Sequence, residues 1–283
     1  MKETRAEYLP ISKLHPFEGH PFKVADNEEM EQLTWSILTQ GLLTPLVVRP
    51  LPNDKYEVIS GHRRLHACKK AGIETVPALI REMDRDDAAI ALVDSNLHRE
   101  HILPSEKAFA YKLKMDALSR QGKRTDLSLS QVATKLDNAA GIGKQNGESR
   151  DTVFRYIRLT NLIPGILEKV DAGKIALTPA VELSYLTEDE QKNLLETMES
   201  EDCTPSLSQA IQLKQLSQAG KLNMDTIFGI LTQPKANQHE KISFRTDEVR
   251  KFFPRNYTPA QMQEVILKLL GEYQRKRQRT QER

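Results

Sequence analysis

Two short stretches of this chain carry residue types that could hold an anion. The first is Ser60-Gly61-His62-Arg63-Arg64-Leu65-His66-Ala67, and the second is Asp94-Ser95-Asn96-Leu97-His98-Arg99-Glu100. The first follows an apolar run, Tyr56 to Ile59, that reads as a strand, and it opens a segment with helical spacing. Gly61 and the two arginines therefore belong at a helix start, where unpaired N–H groups and the positive end of the helix dipole face outward. Guanidinium groups add forked, permanently charged donors that match phosphate oxygens. An Arg-Arg pair on a solvated helix face is the plain alternative, and these eight residues alone do not choose between the two.

Other chemistries find less support in the sequence. His62 and His66 are four apart on a helix with Cys68 nearby, but no third ligand stands at metal-binding spacing. Cys68 falls inside that helix rather than at its anion-binding start, which disfavours a nucleophilic thiol. There is no Walker-type Gly-rich loop and no dinucleotide fingerprint, so a nucleotide has to be held by the arginine-bearing helix starts. Cys68 and Cys203 are too far apart in sequence to suggest a disulfide framework. No apolar run reaches membrane-spanning length and the N-terminus lacks signal-peptide order, so the expected compartment is the cytoplasm, with no membrane partner.

The elements that must position these residues follow from length and patterning. At 283 residues the chain can form two or three modules, and 28% charged with 6% aromatic residues describes a helix-rich protein with modest cores. A net charge of +2 means that any nucleic-acid role rests on local patches. Residues 1–103 alternate helix and strand signals. Asp26 and Glu29 form a D-x-x-E start, Met30, Leu33 and Ile37 share a face, and Gly41 ends the segment. Leu46 to Val48, Tyr56 to Ile59 and Val76 to Ile80 read as strands, with a turn at Asn53-Asp54, and Pro77 suggests an edge position for the third. Asp86 to Leu97 reads as a helix.

Residues 104–220 read as all-α. Pro104 starts a helix with Ala108, Tyr111, Met115 and Leu118 on one face, and a second helix spans Ser130 to Leu136. A Gly- and Asn-rich loop from Asn138 to Gly147 follows, then a helix opening at Ser149 that carries Arg150, Thr152, Arg155, Tyr156 and Arg158. This is a helix-turn-helix pattern with a longer turn than usual, and a charged outer face in a helical bundle is the alternative. Further helices are expected at Pro164 to Ala172, Thr178 to Tyr185, Thr187 to Glu199 and Ser206 to Gln218. Residues 221–240 read as a polar, partly ordered linker. Residues 241–283 offer a strand-like Lys241 to Phe244, a small helix, and a helix from Pro259 to about Arg279 that ends in a basic tail. Its stripe of Val265, Ile266, Leu269 and Leu270 cannot be buried by so short a module alone, which predicts a homodimer.

Three boxes in this order resemble the ParB family of plasmid and chromosome partition proteins. Gly61 to Ala67 is similar to that family's G-E-R-R-x-R-A. Ser95 to Ile102 followed by Pro104-Ser105-Glu106-Lys107-Ala108 is similar to E-N-x-Q-R-E-D-L with P-x-E-x-A, and Gly41 to Arg49 to G-[IL]-[IL]-Q-P-x-x-V-R. Ser149 to Leu162, Ile163-Pro164 and Ala172 to Ile175 resemble its recognition helix and the segment after it. The resemblance implies an α/β N-terminal domain that binds CTP, an all-α helix-turn-helix domain that binds a palindromic, centromere-like double-stranded DNA site, and a small C-terminal strand-helix module that dimerises. It implies a CTP-gated sliding clamp, with a ParA-type ATPase as partner. Carried over residue by residue, Gly61, His62, Arg63, Arg64, Asn96 and Arg99 lie against triphosphate or magnesium, with Asn96 on the metal side. Arg49 is a further phosphate candidate and Glu100 orders the arginines. Ser149, Arg150, Thr152, Arg155, Tyr156 and Arg158 fall at the DNA.

The departures concern hydrolysis. His62 and Ser95 stand where the family has glutamates, which removes two oxygen ligands from a magnesium site, and Asp94 is the nearest carboxylate that could compensate. Binding of CTP is therefore expected with slow or absent turnover, and no residue is assigned as catalytic. The alternative class is a DNA-binding regulator of a mobile element that uses no nucleotide. An enzyme on this scaffold, a nuclease or a sulfiredoxin-like reductase, would need clustered acids or a cysteine at the Gly61 helix start, where His62 stands instead.

Overall fold

The structure is a computed structural model that describes residues 4–99, 101–125, 131–233, 249–254 and 257–281. Glu100 and the strand expected at Lys241 to Phe244 lie outside the described residues. The chain divides into two compact units, 1–233 and 234–283.

The first unit begins as a five-stranded mixed sheet. Its strands are β1 (Thr4–Pro10), β2 (Leu14–Pro16), β3 (Leu46–Leu51), β4 (Lys55–Ser60) and β5 (Thr75–Arg81), in the order β1-β5-β3-β4-β2. The β3–β4 pair is the expected hairpin, and Asn53 and Asp54 both take left-handed backbone conformations at its turn. Helices α1 (Glu28–Gln40) and α2 (His62–Lys70) share a core with the sheet built from Met30, Ile37, Leu46, Val48, Val58, Leu65 and Val76. A second apolar layer joins Ile59, Phe17 and Phe22 to Ala88, Leu92 and Val93 of α3 (Arg85–Asn96). Asp84 caps α3 by accepting the Asp87 N–H at 2.8 Å.

Two expectations for this half are corrected. The cap of α1 is Asn27, which accepts the Met30 N–H at 3.1 Å, while Asp26 receives His66 and Lys70 of α2. β5 is an internal strand, antiparallel to β1 and parallel to β3. Pro77 is tolerated because the ladder to β3 begins one residue later, at Ala78, so the missing N–H falls where only β1 adjoins. Strands β1 and β2, which carry no strong alternation, complete the two edges.

The helical half runs through α4 (Pro104–Thr125), α5 (Gln131–Gln145), α6 (Arg150–Arg158), α7 (Pro164–Asp171), α8 (Leu177–Leu183), α9 (Glu188–Ser200), α10 (Leu207–Gln218) and α11 (Met224–Leu231). The expected loop over Asn138 to Gly147 is mostly helix, because α5 continues to Gln145 and the chain turns only at Asn146–Glu148. The two glycines misled the reading for a structural reason. A Cβ on Gly143 would sit 2.6 Å from the Glu148 carbonyl oxygen, so this glycine lets the turn fold back onto the helix, whereas Gly141 faces open space. The expected linker is also corrected: α11 lies within it, with Ile227, Ile230 and Leu231 buried in the core of α7 to α10. In the second unit, α12 (Pro259–Gln281) leaves Leu267, Leu269 and Leu270 57–62% exposed.

One helix enters three cores. Ala110 and Ala117 of α4 pack in the layer with α3, Tyr111 and Met115 pack with Ile142 of α5 and Val153 of α6, and Ala108 packs with Leu159, Ile166 and Val170. Its first turn is held by Asp171, the last residue of α7, which accepts the Ser105 N–H at 2.9 Å and its hydroxyl at 2.6 Å. Glu106 accepts the Leu103 N–H at 3.1 Å and the Lys23 N–H at 2.7 Å, closing the helix start in capping-box fashion.

The glycine pair yields a matched test. Gly141→Ala should raise stability by about 0.5–1 kcal/mol, as alanine does at an exposed helix position. Gly143→Ala should lower it, because the added methyl meets backbone that cannot retreat without opening the turn. Thermal or urea unfolding of both variants checks this, and equal shifts would contradict the close approach.

Candidate nucleotide and nucleic-acid sites

The Gly61 box lies where its composition predicts, at the start of α2. Gly61 is the N-cap in the left-handed region with φ 104°, and a Cβ there would fall 2.5 Å from Leu46 Cδ2 and 3.0 Å from Arg64 Nη2. Backbone strain and lack of room together require glycine. The first N–H groups of α2 are left for a ligand, and no acidic residue stands in its first turn.

The guanidinium groups divide between an outward set and a set bound within the protein. Arg64 donates to the Thr44 and Pro45 carbonyls at 2.5 and 2.8 Å, tying the approach to β3 onto α2. Arg49 forms a buried ion pair with Glu57 at 2.6 Å, and Glu57 also accepts the Glu18 N–H at 3.3 Å. Arg63 is the outward member, held at 2.9 Å by the exposed Glu29, a contact that an entering anion can exchange. Arg99 is exposed and lies 5.4 Å over the Phe22 ring; desolvation by its surroundings, and then the charge of Arg63, pull its basicity down.

His62 is buried and stacked on His20, with ring centroids 3.8 Å apart. Its Nε2 accepts the Phe17 N–H at 3.4 Å, so that nitrogen carries a lone pair. Burial, then His20, then Arg99 push the His62 imidazole down to about 3. Burial also lowers His20, with Arg99 acting in the same direction. The sequence analysis missed His20, Phe17 and Phe22. The signal for them is the doubled His-Pro-Phe at 15–17 and 20–22, an aromatic and Pro-rich segment ahead of α1.

At the second box, Arg99 donates its N–H to the Asn96 carbonyl at 3.2 Å, which folds the residues after α3 back over its last turn. The buried Asn96 amide nitrogen donates to the Leu92 carbonyl at 2.8 Å and to Ser95 Oγ at 3.2 Å, so its donors are engaged within the last turn of α3. Asp94 does not compensate for the absent carboxylates, because it is paired with Lys114 of α4. The donor set therefore fits a polyphosphate well and magnesium less well; a bound ion would draw its oxygens chiefly from phosphate and water. His66 turns away to Asp26 at 3.0 Å, so the two histidines of α2 share no site, and among the described residues no group of three or more His, Cys, Asp or Glu could hold a metal. Burial pushes the Cys68 thiol up, away from nucleophilic use.

The second candidate surface is the start of α6. Ser149 caps it by accepting the Thr152 N–H at 3.1 Å, and Ser149 and Arg150 are exposed. Arg155 donates to the Thr178 hydroxyl at 2.5 Å. The other two residues assigned to DNA turn toward the protein. Tyr156 packs edge-on against Tyr111, and Arg158 stacks 3.8 Å over Tyr185 while donating to Ser184 Oγ at 3.1 Å. Glu148, just before the cap, accepts Lys107 and, at 2.9 Å, the Tyr111 hydroxyl, so α4 holds the turn that presents α6. The Glu148 contacts were not legible from spacing alone.

The buried imidazole makes stability depend on pH. A histidine neutral when folded, with a value near 3, and free to protonate at about 6.5 when unfolded binds more protons in the unfolded state between those limits. Stability therefore falls as pH drops below about 6.5, at up to ~1.4 kcal/mol per pH unit from His62. Urea unfolding at pH 7, 6 and 5 should show a loss of about 2 kcal/mol over that range that His62→Gln removes. Identical pH slopes for both proteins would contradict a neutral, buried His62.

Comparison with known proteins identifies the family. A sequence profile for the ParB N-terminal domain matches residues 1–97. The "probable chromosome-partitioning protein ParB" of Pseudomonas putida is 32% identical over 191 residues, 67% of this chain and 60% of that protein, so the chain spans well under the full length of that relative. The protein of the same name from Vibrio cholerae is 30% identical over 243 residues, covering 86% of this chain and 77% of the relative. Two crystal structures of the C-terminally truncated chromosome-partitioning protein ParB from Caulobacter crescentus also match. The complex with the centromeric parS site is 23% identical with TM-score 0.41, covering 75% of this chain and 99% of that one. The complex with CTP-gamma-S is 26% identical with TM-score 0.32, covering 69% and 98%. With 30% identity across 86% of the chain and 77% of the Vibrio cholerae protein, and the N-terminal domain profile over residues 1–97, the chain belongs to the ParB family of chromosome-partitioning proteins.

Proposed function

We propose that this chain is a DNA-partition protein that binds CTP at α2 and the end of α3, reads a palindromic centromere-like site through α6, and acts as a dimeric, CTP-gated clamp in plasmid or chromosome segregation. The observation that carries the nucleotide reading is the juxtaposition of the strained Gly61 helix start with Arg63, Arg99 and two neutral imidazoles. Such a set presents fixed cations and free N–H groups with no carboxylate in the first turn of α2, which suits a triphosphate. Magnesium, when bound, would neutralise part of the phosphate charge. Gly61 supplies close backbone approach, Arg63 and Arg99 hold phosphate oxygens, and Asn96 orients its amide oxygen toward the cation side. Hydrolysis is slow in this reading, since His62 and Ser95 replace carboxylates and Asp94 is engaged by Lys114.

For DNA, Ser149, Arg150, Thr152 and Arg155 form the reading edge, and Tyr156 and Arg158 hold α6 in place. Dimerisation rests on the exposed leucines of α12, which a second copy would cover. A ParA-type ATPase is the motor partner, and the protein acts on the nucleoid or plasmid.

Calorimetric titration of the full chain with CTP, ATP, GTP and UTP in magnesium tests the nucleotide reading. CTP should bind at least tenfold more tightly than the others, and Arg63→Ala should abolish that binding. Equal affinities, or none, would favour the regulator that uses no nucleotide.

For the DNA surface, Arg150→Ala and Arg155→Ala should each weaken binding by about 1–3 kcal/mol where a base is read, or reduce the salt slope by about one where a phosphate is met. Arg158→Ala should instead lower thermal stability by about 1–2 kcal/mol through loss of its stack on Tyr185. A full chain that sediments as a monomer, or a truncation after Gln233 that stays dimeric, would contradict the assembly.

A further inference from the structure

Lys114 is charged yet only 3% exposed. It lies on α4, and its ammonium contacts Asp94 of α3 and Gln145 Oε1, the latter at 2.5 Å. Each partner adjoins one of the two candidate sites. Asp94 is on the last turn of α3, two residues before Asn96 and five before Arg99. Gln145 is the last residue of α5, directly before the turn that leads to Ser149 and α6. Burying an ammonium is costly, and an apolar side chain of similar length would pack the same space without that cost. A lysine here therefore asks for more than helix packing.

The rest of the α4 face points to the same role. Lys107, Tyr111 and Lys114 stand at i, i+4 and i+7, so they share one stripe. Lys107 and Tyr111 both hold Glu148, while Lys114 holds Gln145, so the stripe grips the α5–α6 turn from both sides. Of these three contacts, the one at Lys114 also reaches α3.

We propose that Lys114 is a positioning residue through which occupancy of the nucleotide site at the end of α3 sets the conformation of the α5–α6 turn. This rests on the nucleotide reading above. A ligand that engages Asn96 and Arg99 acts on the turn of α3 that carries Asp94. The buried ammonium then either follows its carboxylate or stays with Gln145 alone, and these two arrangements hold the α5–α6 turn differently. A ligand that favours one of them shifts the turn without touching it.

Amide hydrogen exchange of residues 146–152 in the full chain, with and without saturating CTP and magnesium, reads this directly, with calorimetry on the same samples reporting CTP affinity. In the wild type, CTP should change exchange in this turn at least threefold. Lys114→Met and Asp94→Ala should bind CTP within threefold of wild type and lose the remote change. Asp94 is half-exposed, so its variant decides the matter if Lys114→Met does not fold. Variants that keep the remote change would overturn the proposal. So would a wild type that binds CTP with no change at 146–152, and either result leaves the nucleotide reading intact. A wild type that binds no CTP by calorimetry would overturn both.

Discussion

The first unit depends on one helix serving three cores at once. The α4 positions 108, 110, 111, 115 and 117 distribute small and aromatic residues around the helix, so that Ala110 and Ala117 admit α3 closely while Tyr111 and Met115 fill the space under α5 and α6. Alanine at the α3 contact permits near approach of two backbones, and tyrosine at the opposite face supplies both area and a hydroxyl for Glu148. The capped start of α4 adds a third constraint, because Asp171 and Glu106 bring acidic oxygens to the positive end of the helix. Movement of α4 relative to any one neighbour therefore disturbs the other two.

Charge placement at the candidate nucleotide site follows from that packing. Phe17 and Phe22 come from the segment between β2 and α1 and close over the start of α2, which desolvates His62, His20 and Arg99 together. Two imidazoles beside guanidinium groups remain neutral, so the fixed charge comes from arginine alone. The acids around the site are held in pairs: Glu57 with Arg49, Asp94 with Lys114, Asp26 with Lys70 and, at Arg63 itself, the exposed Glu29. Arginine charge is thereby concentrated locally even though the whole chain carries a formal charge of only +2.

Much of this was legible in the sequence where a local rule and the tertiary environment agree. The left-handed Gly61 before an Arg-rich helix, the Asn53-Asp54 hairpin turn, Gly41 after α1 and Pro164 at the start of α7 each satisfy a local backbone requirement that spacing alone reveals. Misreadings arose where packing overrules propensity. Gly141 and Gly143 look like loop residues, yet α5 runs through both because Gly143 is needed for close approach rather than for flexibility. Pro77 signals an edge strand, yet β5 is internal because its parallel ladder starts at Ala78. The Met224–Leu231 helix was hidden in polar surroundings, since its apolar face is only two turns long. The roles of the arginines could not be read from residue type either: Arg63 and Arg64 are adjacent in sequence, but one pairs with the exposed Glu29 and the other meets two carbonyls.

The shared helix ties the α/β half and the helical half of the first unit into one structure, and native-state hydrogen exchange of the full chain measures that cooperativity most directly. If α4 joins the three cores, slow amides of α2, α3, α5 and α9 should merge into one denaturant-dependent opening of common free energy. An opening that exposes α5 to α10 while α2 and α3 stay protected would contradict the account.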